Sequence, residues 1–138
     1  MKAQAAFEYM LVVLIALAFM VPLWTYMITV NSEASDELSL SYAKDAARML
    51  SSACDLVYTQ GPPAKVSLTI FVPSGTVASA ITNGTIMFTI RHGGGESVIF
   101  AESRARINGT LPASSGSYVM EVSALDDESY DVEIREKA

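Results

Sequence analysis

The sequence predicts an α+β fold, in which one long N-terminal helix precedes a small head built on an antiparallel β-sheet. Three observations predict it: an uncharged apolar run near the N-terminus, a helical period that continues beyond this run, and a period of two in the remainder of the chain. Tyr9 to Ser32 contains no charged side chain, whereas the later residues mix apolar, polar and acidic types. The two parts are therefore suited to different solvents.

Composition limits the classes of function. The 138 residues carry a formal net charge of −6 and a sequence pI near 4.6. Nucleic-acid binding needs clustered Lys and Arg, so we expect no nucleic-acid partner. The single cysteine, Cys54, has no internal disulfide partner and stands among apolar residues. We therefore expect it to be a buried, inert thiol.

The first predicted element is a hydrophobic helix over residues 4–30. Its apolar run, Tyr9 to Val30, is longer than the core of a secretory signal peptide and long enough to span a bilayer. Pro22 removes one backbone hydrogen bond, so we expect a bend there and no end to the helix. Lys2, together with the initial amine, predicts a cytoplasmic N-terminus and an external head.

Glu8 is the one carboxylate at the start of this apolar helix. A charge in such a place costs a few kcal/mol unless it is paired or reaches the membrane interface. Two interpretations follow from the residues: an interfacial Glu favoured by the helix dipole, or a charge directed at a partner.

The residues around Glu8 resemble a processing signal. The class III signal peptide of archaeal type IV pilin precursors has a basic and a small residue, then Gln, a small residue, Glu and an aliphatic residue. The matching positions are Lys2, Ala3, Gln4, Ala6, Glu8 and Val12. Three of them depart from the commonest pattern, because Ala3 replaces Gly, Ala6 replaces Ser and Val12 replaces Leu.

The resemblance implies how the N-terminus is used. A prepilin peptidase would cut the bond between Ala3 and Gln4, which makes residues 1–3 a leader. Glu8 would then pair with the free amine of Gln4 in an adjacent subunit as that subunit enters a filament.

The resemblance also implies the function and its partners. It describes a structural subunit of an extracellular archaeal type IV pilus-like filament for surface adhesion. The subunit is held in the cytoplasmic membrane as a precursor and becomes a helical homopolymer through the pilus assembly machinery. The residues expected in the filament core are Phe7, Tyr9, Met10, Leu11, Leu14, Ile15, Phe19, Pro22 and Trp24.

Two alternatives remain at the level of sequence. One is a single-pass, membrane-anchored cell-surface binding protein that does not polymerise. The other is a minor pilin or an archaellin-like subunit of a motility filament. Archaellins usually have a Gly-rich start and lack the Glu, so the pattern from Gln4 to Glu8 favours the pilin.

An amphipathic continuation of the helix is predicted over residues 31–60. Apolar residues recur there at steps of three and four, with charged residues between them. Gly61-Pro62-Pro63 should end the helix, and Asn31-Ser32 offers an alternative break into two helices. The apolar positions are Ala34, Leu38, Tyr42, Ala46, Met49, Leu50, Ala53, Cys54 and Val57.

The head is predicted over residues 61–138 as five or six strands of one antiparallel sheet around the end of the helix. Apolar residues alternate at Val66, Leu68, Ile70 and Val72, and again at Ile86, Phe88 and Ile90. Pro73-Ser74-Gly75 should turn the chain. Further candidate strands are Ser97–Ile107, Ser117–Ala124 and Tyr130–Arg135.

Two short motifs in the head point to exposed turns. Asn83-Gly84-Thr85 and Asn108-Gly109-Thr110 each satisfy the N-glycosylation acceptor pattern, and Asn-Gly also favours a type I′ hairpin turn. Asn83 and Asn108 are therefore candidate glycosylation sites, with a plain turn as the alternative for each.

The remaining motifs do not indicate catalysis or a cofactor. His92-Gly93-Gly94-Gly95 is similar to an oxyanion-hole loop, but the chain contains no G-x-S-x-G and no second histidine. Asp126, Asp127 and Glu128 lack the spacing of an EF-hand and favour an acidic turn. We therefore expect no enzyme activity, no cofactor and no metal site.

Overall fold

A computed structural model describes the backbone of residues 2–137 and the side chains of residues 4–137. Its first element is the helix α1, Lys2–Gln60. Asn31 and Ser32 are helical, so the alternative of two helices is not observed, and Pro22 lies inside the helix without ending it. Gly61 follows with a φ of 69°, and its N–H donates to the carbonyl of Val57 at 3.0 Å. This left-handed cap ends the helix where the sequence predicts.

Seven strands follow α1. The β2–β3 and β3–β4 connections are tight hairpins, and both contain residues with positive φ. The strands are β1 Lys65–Val72, β2 Thr76–Thr82, β3 Thr85–His92, β4 Gly95–Glu102, β5 Ile107–Gly109, β6 Gly116–Ala124 and β7 Val132–Glu136.

The strands form two sheets. The four-stranded sheet has the order β1-β6-β7-β5, and the three-stranded sheet has the order β2-β3-β4. The predicted α+β class, with a long N-terminal apolar helix before the strands, is confirmed. The head differs from the prediction in having two sheets, one of which contains a parallel pair, β5 with β7.

One predicted strand is interrupted. Ser97–Ile107 reads as continuous in sequence, but β4 ends at Glu102 and β5 begins at Ile107. The intervening turn is held by Asp55 of α1, whose Oδ1 accepts from the Ser103 hydroxyl at 2.7 Å and from the Arg104 N–H at 2.9 Å. These bonds replace the sheet ladder, so the chain leaves one sheet and enters the other.

Chain contacts divide the described residues into two compact units, Met1–Ser35 and Asp36–Ala138. The hydrophobic core belongs entirely to the second unit and combines one face of α1 with the inward faces of both sheets. Small residues dominate the helical side, which allows close approach of the sheets. The buried apolar positions of the helix are Ala43, Ala46, Ala47, Leu50, Ala53, Cys54 and Val57.

Candidate functional site

The first unit presents an apolar surface that nothing in the unit covers. Every described side chain from Gln4 to Ser35 is exposed, including each large apolar residue between Phe7 and Val30. Phe7 is 68 % exposed and Trp24 is 71 % exposed. Because the apolar residues are consecutive, they face every direction around the helix, and such a helix is normally buried in protein or lipid. We call residues 7–30 the apolar segment.

By length and composition the apolar segment qualifies as a membrane-spanning helix, a criterion that N-terminal signal sequences also meet. Its surface is uneven. Two shallow apolar depressions lie on it, the first lined mainly by Met20, Trp24 and Met27 and the second by Phe7, Met10 and Leu14. Depressions between side chains of this kind receive side chains of a facing helix in helix-on-helix packing.

The predicted filament-core residues all lie on this exposed surface. None of them contributes to the core of the head. They are Phe7, Tyr9, Met10, Leu11, Leu14, Ile15, Phe19, Pro22 and Trp24.

Three hydroxyl groups of the first unit, those of Thr25, Thr29 and Ser32, are satisfied within the helix. Thr25 donates to the carbonyls of Val21 at 3.1 Å and Pro22 at 2.9 Å, and Thr29 donates to the carbonyl of Thr25 at 3.0 Å. Ser32 donates to the carbonyl of Thr29 at 2.8 Å. Such bonds to the preceding turn remove the need for water, which suits a helix placed in lipid or in a dry protein core.

Glu8 lies in the first turns of α1 between the exposed side chains of Phe7 and Tyr9. Within residues 4–137 its carboxylate makes no ion pair. Gln4 is exposed on the same helix, whereas the side chain of Ala3, on the other side of the predicted cleavage bond, lies outside the described residues. The roles of Ala3, Gln4 and Glu8 in processing and subunit pairing therefore stay predictions.

A second apolar surface follows the helix in the head unit. Leu38, Tyr42, Met49 and Leu56 are about half exposed and share one side of α1. The ring of Tyr42 meets that of Phe71, also half exposed, edge to face with centroids 5.2 Å apart. Leu38, Tyr42 and Met49 are among the apolar positions that the sequence predicts for the amphipathic part of the helix. They lie beside its buried face, because the Ala-rich face takes up the contact with the sheets.

The two candidate glycosylation sites are brought together by the fold. Asn83, with a φ of 46°, and Gly84, with a φ of 80°, form the β2–β3 turn that the Asn-Gly pair predicts. Asn108 lies in β5, and both asparagines are exposed. Both line one groove, together with Arg106 and Tyr130. Sequence gives no signal for this groove, because its walls come from distant segments.

Arg106 and Asp131 form a bidentate ion pair beside this groove. The Arg106 Nη2 lies 2.9 Å from Asp131 Oδ1, and its Nε lies 3.1 Å from Oδ2. The pair lowers the pKa of Asp131, because hydrogen bonds from the Arg106 side chain and backbone favour the carboxylate. The side-chain hydrogen bonds to Asp131, followed by the charge of Asp131, raise the pKa of Arg106.

The thiol of Cys54 is buried in the core of the head. Burial, with a smaller contribution from the Asp55 charge, raises the pKa of the Cys54 thiol to about 12, so no thiolate nucleophile forms at neutral pH. Within the described residues no cluster of three or more His, Cys, Asp or Glu is placed to hold a metal ion. The Gly93-Gly94 pair, with φ of 48° and 93°, forms the tip of the β3–β4 hairpin.

Comparison of the chain with protein-family models, curated proteins and solved structures finds no match.

Proposed function

We propose that this chain is a structural subunit of an extracellular filament of the archaeal type IV pilus kind, held in the membrane before assembly. The observation that carries the proposal is that every large apolar side chain of the apolar segment is exposed. Burying a Leu, Val, Ile or Phe side chain is worth about 1.5–3 kcal/mol, so this surface strongly favours association with lipid or protein. A filament of packed helices supplies neighbours on every side of the segment.

Assembly from copies of one chain suits the two apolar surfaces. A head-to-tail contact that does not close into a ring produces a helical polymer. In such a polymer the apolar segment would form the central bundle, and the stripe of Leu38, Tyr42, Met49 and Leu56 would add contacts between neighbouring subunits. The head, with its own core and acidic surface, would face water.

Glu8 is the proposed switch between membrane and filament. In a membrane its carboxylate lies near the interface, and in a filament it would pair with the Gln4 amine of the adjacent subunit after removal of residues 1–3. Truncating one partner of a buried charge pair costs about 3–5 kcal/mol because the other charge stays unpaired. Neighbouring subunits would therefore assemble stably only in the register that places Glu8 beside the Gln4 amine.

The first test is Glu8→Ala in cells that express the full chain, with Glu33→Ala as the matched control. Glu33 is an exposed acidic residue of the same helix, outside the apolar segment. We expect Glu8→Ala to insert into membranes normally but to reduce the yield of sheared filaments at least about tenfold, in line with loss of a buried charge pair. Glu33→Ala should retain the wild-type yield, and a wild-type yield from Glu8→Ala would contradict the pairing.

The single-pass anchor is separated from the filament by fractionation. Shearing of cells should release fibres that contain the chain, and electron microscopy should show them. Recovery only in detergent-solubilised membranes would favour the anchor.

Mass spectrometry of the native protein tests the cleavage directly, because an intact Met1 or Lys2 terminus would exclude the cut at Ala3–Gln4.

A further inference from the structure

The head contains a groove of about 580 Å³, within the usual range for small-ligand sites. One wall is the end of β2 with the turn at Asn83, and the opposite wall is β5 with Asn108. Both strands are the outermost strands of their sheets, and the two strands contact each other. Outermost strands carry backbone N–H and C=O groups without a ladder partner on one side. Residues of both outermost strands line the groove.

The side chains in the groove suit a saccharide. Tyr130 is 40 % exposed and offers an aromatic ring, and Ile81 adds an apolar patch. Asn83 and Asn108 contribute amide groups that donate and accept, and Ser129 contributes a hydroxyl. A mainly polar groove with one exposed aromatic ring and convergent amide and hydroxyl groups matches the hydroxyl rims and C–H faces of a sugar ring.

We propose that this groove holds the first sugars of an N-linked glycan attached at Asn83 or Asn108. Both asparagines belong to N-x-T acceptor sequences, and both line the groove that the sugars would fill. A glycan tethered in this way has a high effective concentration at the groove, which favours it over a free saccharide. The inference rests on the external location of the head in the proposed function.

The attachment is a group transfer from a lipid-linked, phosphate-activated oligosaccharide. The asparagine carboxamide nitrogen forms a bond to the anomeric carbon, the bond from that carbon to the phosphate oxygen breaks, and the nitrogen loses one proton to a base of the transferase. The lipid phosphate leaves with the bonding electrons. An oligosaccharyltransferase of the host cell catalyses this step, and the chain itself supplies the acceptor.

The glycan has a structural role in this position. It would cover residues of two outermost strands, the positions at which a sheet edge can pair with another chain. It would also contact the segment 126–131, which is joined to Arg106, the residue before β5, by the ion pair with Asp131 and by the bond from Arg106 Nη1 to the Glu128 carbonyl at 2.7 Å. A sugar stacked on Tyr130 would restrain the same segment from the groove side.

The test uses the full chain, expressed in a host that N-glycosylates and purified in detergent. Glycopeptide mass spectrometry reports occupancy at Asn83 and Asn108, and amide hydrogen exchange reports the opening of the segments 81–84 and 126–131. The variants are the unglycosylated Asn83→Gln/Asn108→Gln pair and Tyr130→Ala. Phe100→Ala is the control, because Phe100 is an exposed aromatic residue on β4 that does not line the groove.

We expect the wild type to carry a glycan on at least one asparagine. Its amide hydrogens in the segments 81–84 and 126–131 should exchange more slowly than those of the double variant. The double variant should lose the glycan mass and the slowed exchange. Tyr130→Ala should keep the glycan mass and lose the slowed exchange, and Phe100→Ala should keep both. This pattern separates a glycan that fills the groove from one that projects into solvent.

Two results would overturn the inference. They are the absence of a glycan at both asparagines, and unchanged exchange in the glycosylated wild type relative to the double variant. Filaments are scored separately by electron microscopy of the same cells, so a failure of the filament proposal is distinguished from a failure at the groove.

Discussion

Arg106 and Asp131 are the side chains that fix the segment 126–131 to the four-stranded sheet. Besides the bidentate pair, the Arg106 N–H donates to Asp131 Oδ2 at 2.8 Å, and the Asp131 N–H donates to the Arg106 carbonyl at 2.9 Å. The carboxylate is thus held by a planar guanidinium and by a backbone donor. Bidentate charge-assisted bonds of this type are stronger and more specific than single contacts between exposed charges.

This geometry predicts an acid-dependent loss of stability. The pKa of Asp131 is lowered in the folded state, so the pair contributes stability above the ordinary carboxyl pKa of about 4, and the contribution is lost as pH falls through the lower folded value. We expect Asp131→Asn to be less stable than the wild type at pH 7, with a difference that shrinks below about pH 4. Urea unfolding of the head at a series of pH values measures this difference in stability between the wild type and the variant. A difference that is independent of pH would contradict this role for the ionised carboxylate.

At the scale of elements, the two hairpin turns contain glycines whose positive φ disfavours other residues. Gly84 has a φ of 80°, and a Cβ added there would lie 2.7 Å from the Ala105 carbonyl oxygen and 3.0 Å from that of Ser103. Gly94, in the β3–β4 turn, has a φ of 93° but no heavy atom within 4 Å of an added Cβ. The two turns share the backbone requirement and differ in their surroundings.

The pair Gly84→Ala and Gly94→Ala therefore separates strain from crowding. We expect Gly94→Ala to cost about 1–2 kcal/mol, the usual penalty for an L-residue in a left-handed conformation. Gly84→Ala should lower the free energy of unfolding further. Its added methyl group would meet backbone carbonyl oxygens, which move aside less easily than the end of a side chain. Chemical denaturation of both variants gives the comparison, and equal losses would mean that the segment 103–105 moves away freely.

Local patterns in the sequence predict elements whose contacts are local or periodic. The alternation in β1 and β3 and the stop at Gly61 are all observed, since each depends on neighbouring residues. The helical steps of three and four predict α1 but do not separate adjacent faces of the helix. Leu38 and Tyr42 were therefore grouped with residues such as Leu50, which alone of the three is fully buried.

Features that depend on contacts between distant segments are not predictable in this way. The break between β4 and β5 requires Asp55, far earlier in the chain, to bond Ser103 and Arg104. The groove likewise requires β2 and β5 to lie side by side, and so the sequence identifies Asn83 and Asn108 but not their shared site. A contact between the edges of two sheets produces no periodic pattern in the sequence of either segment.

At the scale of the whole chain, apolar residues serve two separate purposes. The core of the head uses residues from Ala43 onward, and Leu50 in it is fully buried. The apolar segment contributes nothing to that core, and it forms part of the separate unit Met1–Ser35. Stability of the head and association of the chain should therefore respond to different substitutions.

Two leucines test this separation in the full chain, kept in detergent. Leu50→Ala should lower the free energy of unfolding of the head by about 2–5 kcal/mol, because it removes buried methyl groups and leaves a cavity. Leu14→Ala, the same change on the exposed segment, should leave thermal unfolding of the head unaltered and should weaken assembly instead.

A fragment Asp36–Ala138 should, by the same reasoning, unfold cooperatively without detergent, with the midpoint of the wild-type head. Because the fragment retains every buried core residue, an unfolded fragment, or a head destabilised by Leu14→Ala, would show that the apolar segment also supports the fold of the head.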